Sequence, residues 1–94
     1  MTAYLIAHIR VKDPTKWQQY VDSVAETLAP YQAEVVFRGK RAAVLIGEHP
    51  YSTVAVLRFS DSTVIQHWFD SEAYRALSQV RDEAAEVIFI SYNI

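Results

Sequence analysis

Shifting the chain by 48 positions lays His8–Ser23 over Val56–Ser71. Six of the sixteen superposed positions are identical: Arg10/Arg58, Asp13/Asp61, Thr15/Thr63, Gln18/Gln66, Asp22/Asp70 and Ser23/Ser71. Tyr20/Trp68 and Ile9/Leu57 are chemically alike. Each copy runs from an alternating apolar stretch into an amphipathic stretch headed by Asp. The chain therefore reads as one strand-then-helix unit used twice, which leaves few arrangements open to it.

The local signals fill in the units. In Tyr4–Val11, Leu5, Ala7, Ile9 and Val11 share one side, and Tyr4, Ile6, His8 and Arg10 share the other. Asp13-Pro14 has the form of a helix start, Asp as N-cap and Pro in the first turn. Trp17, Tyr20, Val21, Val24 and Leu28 follow as one apolar stripe, and Pro30 ends the helix. Glu34–Arg38 reads as a second strand. Gly39-Lys40-Arg41 reads as a turn into a short third strand at Ala42–Gly47. Thr53–Phe59 is a further strand. Ser60, Asp61 and Ser62 offer caps for a helix carrying Ile65, Trp68 and Phe69. Asp70-Ser71 interrupts it, and Tyr74, Leu77, Val80 and Ala84 line one more helix. Val87–Tyr92 closes the chain as a strand. The expected fold is α+β: one ferredoxin-like βαββαβ domain over residues 1–94, with an extra hairpin strand. The first strands of the two halves are expected side by side and parallel at the centre of the sheet.

Such a domain covers one sheet face with helices. The set Leu5, Ala7, Ile9, Val11, Ala55, Leu57 and Phe59 belongs under them. The other face would carry Tyr4, Ile6, His8, Arg10, Val36, Val54, Val56 and Arg58, too apolar for water and too polar for an ordinary core. A chain of 94 residues that is 51% hydrophobic and 13% aromatic has a thin core of its own. A homodimer with the two sheets face to face resolves the conflict, each buried Val or Ile contributing about 1.5–3 kcal/mol.

Composition also narrows the chemistry. A net charge of −2 gives nothing to attract nucleic acid or an acidic membrane surface. With no cysteine, thiol nucleophiles, disulfides and thiolate metal sites are excluded. The first residues lack a signal-peptide pattern and no apolar run reaches membrane length, so a cytoplasmic protein is expected. Three scattered histidines show no metal-ligand spacing, and two glycines make no phosphate loop. No metal or other cofactor is expected.

Three groups of residues remain as site candidates. Arg10 and Arg58 are equivalent in the repeat and, with Arg38, suit a carboxylate or phosphate; pairing with Glu34 or with a glutamate of a second subunit is the structural alternative. His8, two residues from Arg10 on the same side, has the chemistry of a general acid or base, or of a hydrogen-bonded interface residue. His67, Trp68, Asp70 and Tyr74 gather around the broken helix, as a wall for a flat ligand or as core and caps. His67 is the weaker catalytic candidate.

The N-terminal Ala-Tyr-Leu-Ile-Ala strand, Asp13-Pro14, Trp17-x-x-Tyr20, Val36-Phe37-Arg38-Gly39, Val56-Leu57-Arg58-Phe59 and Trp68-Phe69-Asp70-Ser71-x-x-Tyr74-x-x-Leu77 with Arg81 together resemble the domain-of-unknown-function family catalogued as 1330. The resemblance spans nearly the whole chain. It implies a ferredoxin-like dimer of the dimeric α+β barrel type and no established activity. Barrels of this type include cofactor-free monooxygenases, haem-degrading enzymes, lactone isomerases and stress proteins. The first strand has no Asn and His67 abuts Trp68, which departs from the haem-degrading pattern. Two functions stay open: a binder or enzyme holding a small, partly apolar acid in a pocket of His8, Arg38, Arg58, Trp68 and Tyr74, and a non-catalytic accessory homodimer. They differ in whether the arginines are free at a pocket wall or paired with carboxylates.

Overall fold

The structure, a computed structural model, describes residues 2–94. Its elements are β1 (Ala3–Val11), α1 (Pro14–Leu28), a 3₁₀ turn (Ala29–Tyr31), β2 (Glu34–Lys40), β3 (Thr53–Phe59), α2 (Ser62–Asp70), α3 (Glu72–Arg75), α4 (Ser78–Ala84) and β4 (Ala85–Asn93). The helix starts are set by the expected caps. Asp13 accepts from the Lys16 amide at 3.1 Å, and Asp61 accepts from the Val64 amide at 2.9 Å. After Pro30, Gln32 adopts a left-handed conformation (φ 56°) that turns the chain into β2.

Ser71 recaps as anticipated. Its hydroxyl donates to the Trp68 carbonyl at 2.7 Å and accepts from the Tyr74 amide at 3.2 Å, closing one helix and opening the next. The single helix expected from Tyr74 to Ala84 is instead two pieces, α3 and α4, divided at Leu77. The break lets Tyr74 point into the core while α4 packs along α1.

The sheet has four strands in the order β2-β3-β1-β4. Two expectations are corrected here. Ala42–Gly47 forms no strand but part of a long loop joining β2 to β3. β1 and β3 are central neighbours as expected, yet they run antiparallel. The repeat explains why. Ala7 pairs with Ala55, and these two residues are also 48 apart. The repeat operator is thus a two-fold rotation about an axis near this pair, and a rotation normal to a sheet reverses strand direction.

On the helix side, Ala3, Leu5, Ala7 and Ile9 of β1 are at most 5% exposed. Ala3 and Leu5 pack with Phe59, Ile65, Trp68 and Tyr74, and Ala7 and Ile9 form a second cluster with Ala85. The polar ends of the core aromatics are satisfied. The Trp68 indole donates to the Thr27 hydroxyl at 2.9 Å, which donates in turn to the Val24 carbonyl at 2.7 Å. Tyr20 and Tyr74 share a hydroxyl–hydroxyl hydrogen bond of 2.8 Å, and Arg81 donates to Tyr74 at 3.0 Å. Burial, reinforced by Tyr74, pushes the Tyr20 phenol well above its ordinary range, so it stays protonated. Among the described residues, no buried side-chain polar atom lacks a partner.

Candidate functional site

β2 decides which arginine faces what. Glu34 pairs with Arg58 and Val35 with Leu57, and then the register slips so that Phe37 meets Val56 and Arg38 meets Ala55. In a regular strand Arg38 would share the face of Glu34. The extra residue of the bulge reverses the alternation. Phe37 turns to the open face, and Arg38 turns to the helix side.

There it meets a cavity of about 60 Å³ between α1 and the sheet. Its walls are Leu5, Ala7, Ile9, Ala55, Leu57 and Phe89 from the sheet, Trp17, Tyr20, Val21, Val24 and Leu28 from α1 and its end, and Trp68 from α2. Arg38 is the one charged residue in this wall. Among the described residues Arg10, Arg58 and Arg81 each have a carboxylate partner and Arg38 has none. A guanidinium at the edge of apolar walls is the arrangement for a ligand with an anionic head and a greasy body. At roughly 10–15 Å³ per water, the space holds a few waters or a short aliphatic chain. A neighbouring groove of about 180 Å³ between α2 and β4 is lined by Leu5, Ile65, Gln66, Trp68, Phe69, Phe89 and Ser91, with no ionisable group.

The open face is organised in rows across the strands. Glu34, Arg58, Tyr4 and Tyr92 form one; Phe37, Val56, Ile6 and Ile90 the next; Gly39, Val54, His8 and Ile88 a third; Arg10 and Glu86 end the series. Arg10 and Arg58 therefore share a face, but Arg58 sits opposite Tyr4, six residues or about 20 Å along β1 from Arg10. They do not form the expected pair. Each is matched cross-strand with a glutamate: Arg10 with Glu86 and Arg58 with Glu34. Hydrogen bonds to these carboxylates raise both arginine pKa values, and Arg10 lowers that of Glu86. The structural alternative drawn from the sequence thus describes Arg58 correctly, and the partner of Arg10 comes from the same chain.

His8 lies on this open face and does not reach the Arg38 cavity. It packs edge-on against His49 (ring centroids 4.9 Å apart), with Tyr51 at 6.3 Å. Both partners come from the β2–β3 loop. Trp68 borders the Arg38 cavity, Tyr74 is core at 1% exposure, and His67 is exposed in the last turn of α2. The five-residue pocket expected from the sequence is thus divided between two faces. Sequence reasoning missed Trp17 and Phe89 as cavity walls. The signal for Trp17 was its stripe position over the sheet.

Among the described residues, no group of three or more His, Cys, Asp or Glu side chains is placed to hold a metal ion, and no helix is long and apolar enough to cross a membrane.

No curated protein matches the chain. Solved structures do. A protein of unknown function from Rhodopseudomonas palustris, RPA0582, superposes with a TM-score of 0.83 at 14% identity, covering 99% of this chain and 82% of that one. A dimeric ferredoxin-like protein of unknown function from Jannaschia sp. gives 0.69 at 8% identity, covering 100% of both chains. SnoaB, a cofactor-independent oxygenase from Streptomyces nogalater, gives 0.72 at 8% identity, covering 99% of this chain and 92% of that one. At these identities the likeness is one of fold, and it makes the architecture ferredoxin-like. The family Domain of unknown function (DUF1330) matches residues 2–91, and the chain belongs to that family.

Proposed function

We propose that the protein is a cytoplasmic homodimer that binds a small, partly apolar carboxylic acid in the helix-side cavity, with Arg38 holding the carboxylate. The observation that carries this reading is the β2 bulge. It brings an arginine that has no carboxylate partner among the described residues to an otherwise apolar cavity. The cavity wall contains no histidine and no carboxylate, and Tyr20 keeps its proton. The reading is therefore of binding, with acid–base chemistry left to groups outside this cavity. At about 60 Å³ the cavity is far below the 300–1,000 Å³ of drug-sized sites, so the acid is short.

The dimer reading rests on the open face. Its central rows are apolar, with Ile88, Ile90 and Phe37 between 37% and 53% exposed, and its Arg–Glu pairs stand at diagonally opposite corners. An apolar centre with a charged rim is the anatomy of a protein–protein interface. Dimeric proteins among the structural relatives support it.

A second reading, an accessory dimer without a ligand, draws support from the pairing of Arg10 and Arg58 with glutamates. A thermal-shift titration separates the two. Isobutyrate or isovalerate raises the melting temperature of the wild type and of Arg58→Ala, and leaves Arg38→Met unmoved, if Arg38 binds the acid. No shift from any short carboxylic acid favours the accessory reading.

A further inference from the structure

The loop between β2 and β3 is longer than its connection requires. Hairpin strands are joined by two to five residues in most proteins, whereas this link runs from residue 41 to residue 52. Its foot is fixed. The Arg41 amide donates to the Ser52 carbonyl at 2.7 Å, and the Arg41 guanidinium donates to the carbonyls of His49 at 2.6 Å and Tyr51 at 3.4 Å. His49 and Tyr51, 5.4 Å apart, pack on His8 at the open face. The tip is the opposite. Leu45 and Ile46 are each 94% exposed, in a loop whose base is tied down. Two large apolar side chains held out in water on a braced support are a contact surface without its partner.

We infer that this loop is an intersubunit arm whose Leu45 and Ile46 pack on the open sheet face of a second copy, in the groove beside His8. The inference rests on the homodimer reading above and adds a specific contact to it. The occupant follows from continuity. The apolar row of Phe37, Val56, Ile6 and Ile90 is followed directly by that of Gly39, Val54, His8 and Ile88, and the groove opens beside His8 and Val54. It measures about 260 Å³; His49 and Tyr51 at the foot of the arm form part of its wall, with Lys40, Arg41, Ser52 and Thr53 beside them. Gly39 keeps its end of the row low, since a Cβ there would meet nothing within 4 Å. One chain therefore carries both an apolar loop tip and, at the foot of the same loop, a groove whose accessible lining is mostly carbon although Lys40 and Arg41 border it. A two-fold interface needs such a self-complementary pair.

Sedimentation equilibrium from nanomolar to micromolar concentration tests this on the wild type, on the double variant Leu45→Ser/Ile46→Ser, and on Ile6→Asp. The tip side chains are almost wholly exposed in their own chain, so the double variant keeps the wild-type circular dichroism. Its dimer dissociation constant rises by about 100-fold, and that of Ile6→Asp by about 1,000-fold. A double variant that dimerises like the wild type overturns the arm and leaves the dimer standing. A wild type that is monomeric at micromolar concentration overturns both. Tip-dependent binding to phosphatidylcholine/phosphatidylglycerol vesicles, with the dimer constant unmoved, names a membrane as the occupant and likewise overturns the arm. As a second readout, Ile46→Cys introduces the only cysteine of the chain for an environment-sensitive fluorophore. Its emission shifts to the blue as concentration drives association, and emission that stays flat through that range contradicts the arm.

Discussion

On the helix side of β1, Ala3, Leu5, Ala7 and Ile9 are buried; on the other side, Tyr4, Ile6 and His8 are half-buried and Arg10 is exposed. The same nine-residue strand thus serves two environments, one finished and one incomplete. On the finished side every aromatic hydroxyl and indole of the core has its partner, and Arg38 is a cation left without a carboxylate beside the cavity. On the incomplete side Arg10 and Arg58 are paired, and apolar surface is left over. Each face therefore points to a different partner. A leftover charge beside apolar walls calls for a small anion. Leftover apolar surface with a charged rim calls for a protein.

The sharpest way to break this contrast is to damage each face in turn. Trp68→Ala removes the indole at 1% exposure and leaves the Thr27 hydroxyl without its donor. It should cost about 3–5 kcal/mol in chemical denaturation, or prevent folding. Ile6→Asp should leave the monomer folded and raise the dimer dissociation constant by about 1,000-fold in sedimentation, because a carboxylate would enter the apolar row of the open face. If Ile6→Asp unfolds the chain as Trp68→Ala does, the two faces are not different in kind.

Smaller effects sharpen the picture. Tyr74→Phe removes the acceptor for Arg81 and the partner of the Tyr20 hydroxyl. A loss of about 1–3 kcal/mol in urea unfolding is expected. Glu34→Gln breaks the exposed pair with Arg58 and should leave the urea-unfolding midpoint almost unchanged. The smallest effect is in acid. The hydrogen bond and charge of Arg10 lower the Glu86 pKa below its ordinary 4.5. The stabilisation is therefore complete above about 4.5 and disappears as pH falls through the lower folded-state value. Thermal melts of the wild type and Glu86→Gln should differ above that range and converge below it.

Much of this architecture was legible in the residues. Asp13, Asp61 and Ser71 cap as the sequence indicates, because a short polar side chain before an apolar stripe has few other uses. The side assignment on β1 followed from strict alternation. The direction of the repeated strands did not, since a shift of 48 residues is compatible with a translation or a rotation. Only the Ala7–Ala55 pairing distinguishes them. The side on which Arg38 falls was equally closed to the sequence. Val35-Val36-Phe37 is a run of three apolar residues without alternation, so it carries no parity, and the bulge occurs there. Ala42–Ile46 has the composition of a strand and the outer edge of β2 is open to it, but Arg41 ties the chain across to Ser52, His49 and Tyr51 instead of into a hairpin turn, so strand propensity alone does not place it.

The division of labour between the faces can be read at one place. The chain has two tryptophans, and both line the Arg38 cavity. In a ¹⁵N-labelled sample titrated with isovalerate, the indole signals of Trp17 and Trp68 and the amides of Leu57 and Phe89 should shift saturably. The amides of Ile90 and Tyr92 on the open face should stay in place, and Arg38→Met should abolish every shift. Saturable shifts confined to the open face, or cavity shifts that survive Arg38→Met, would contradict the account.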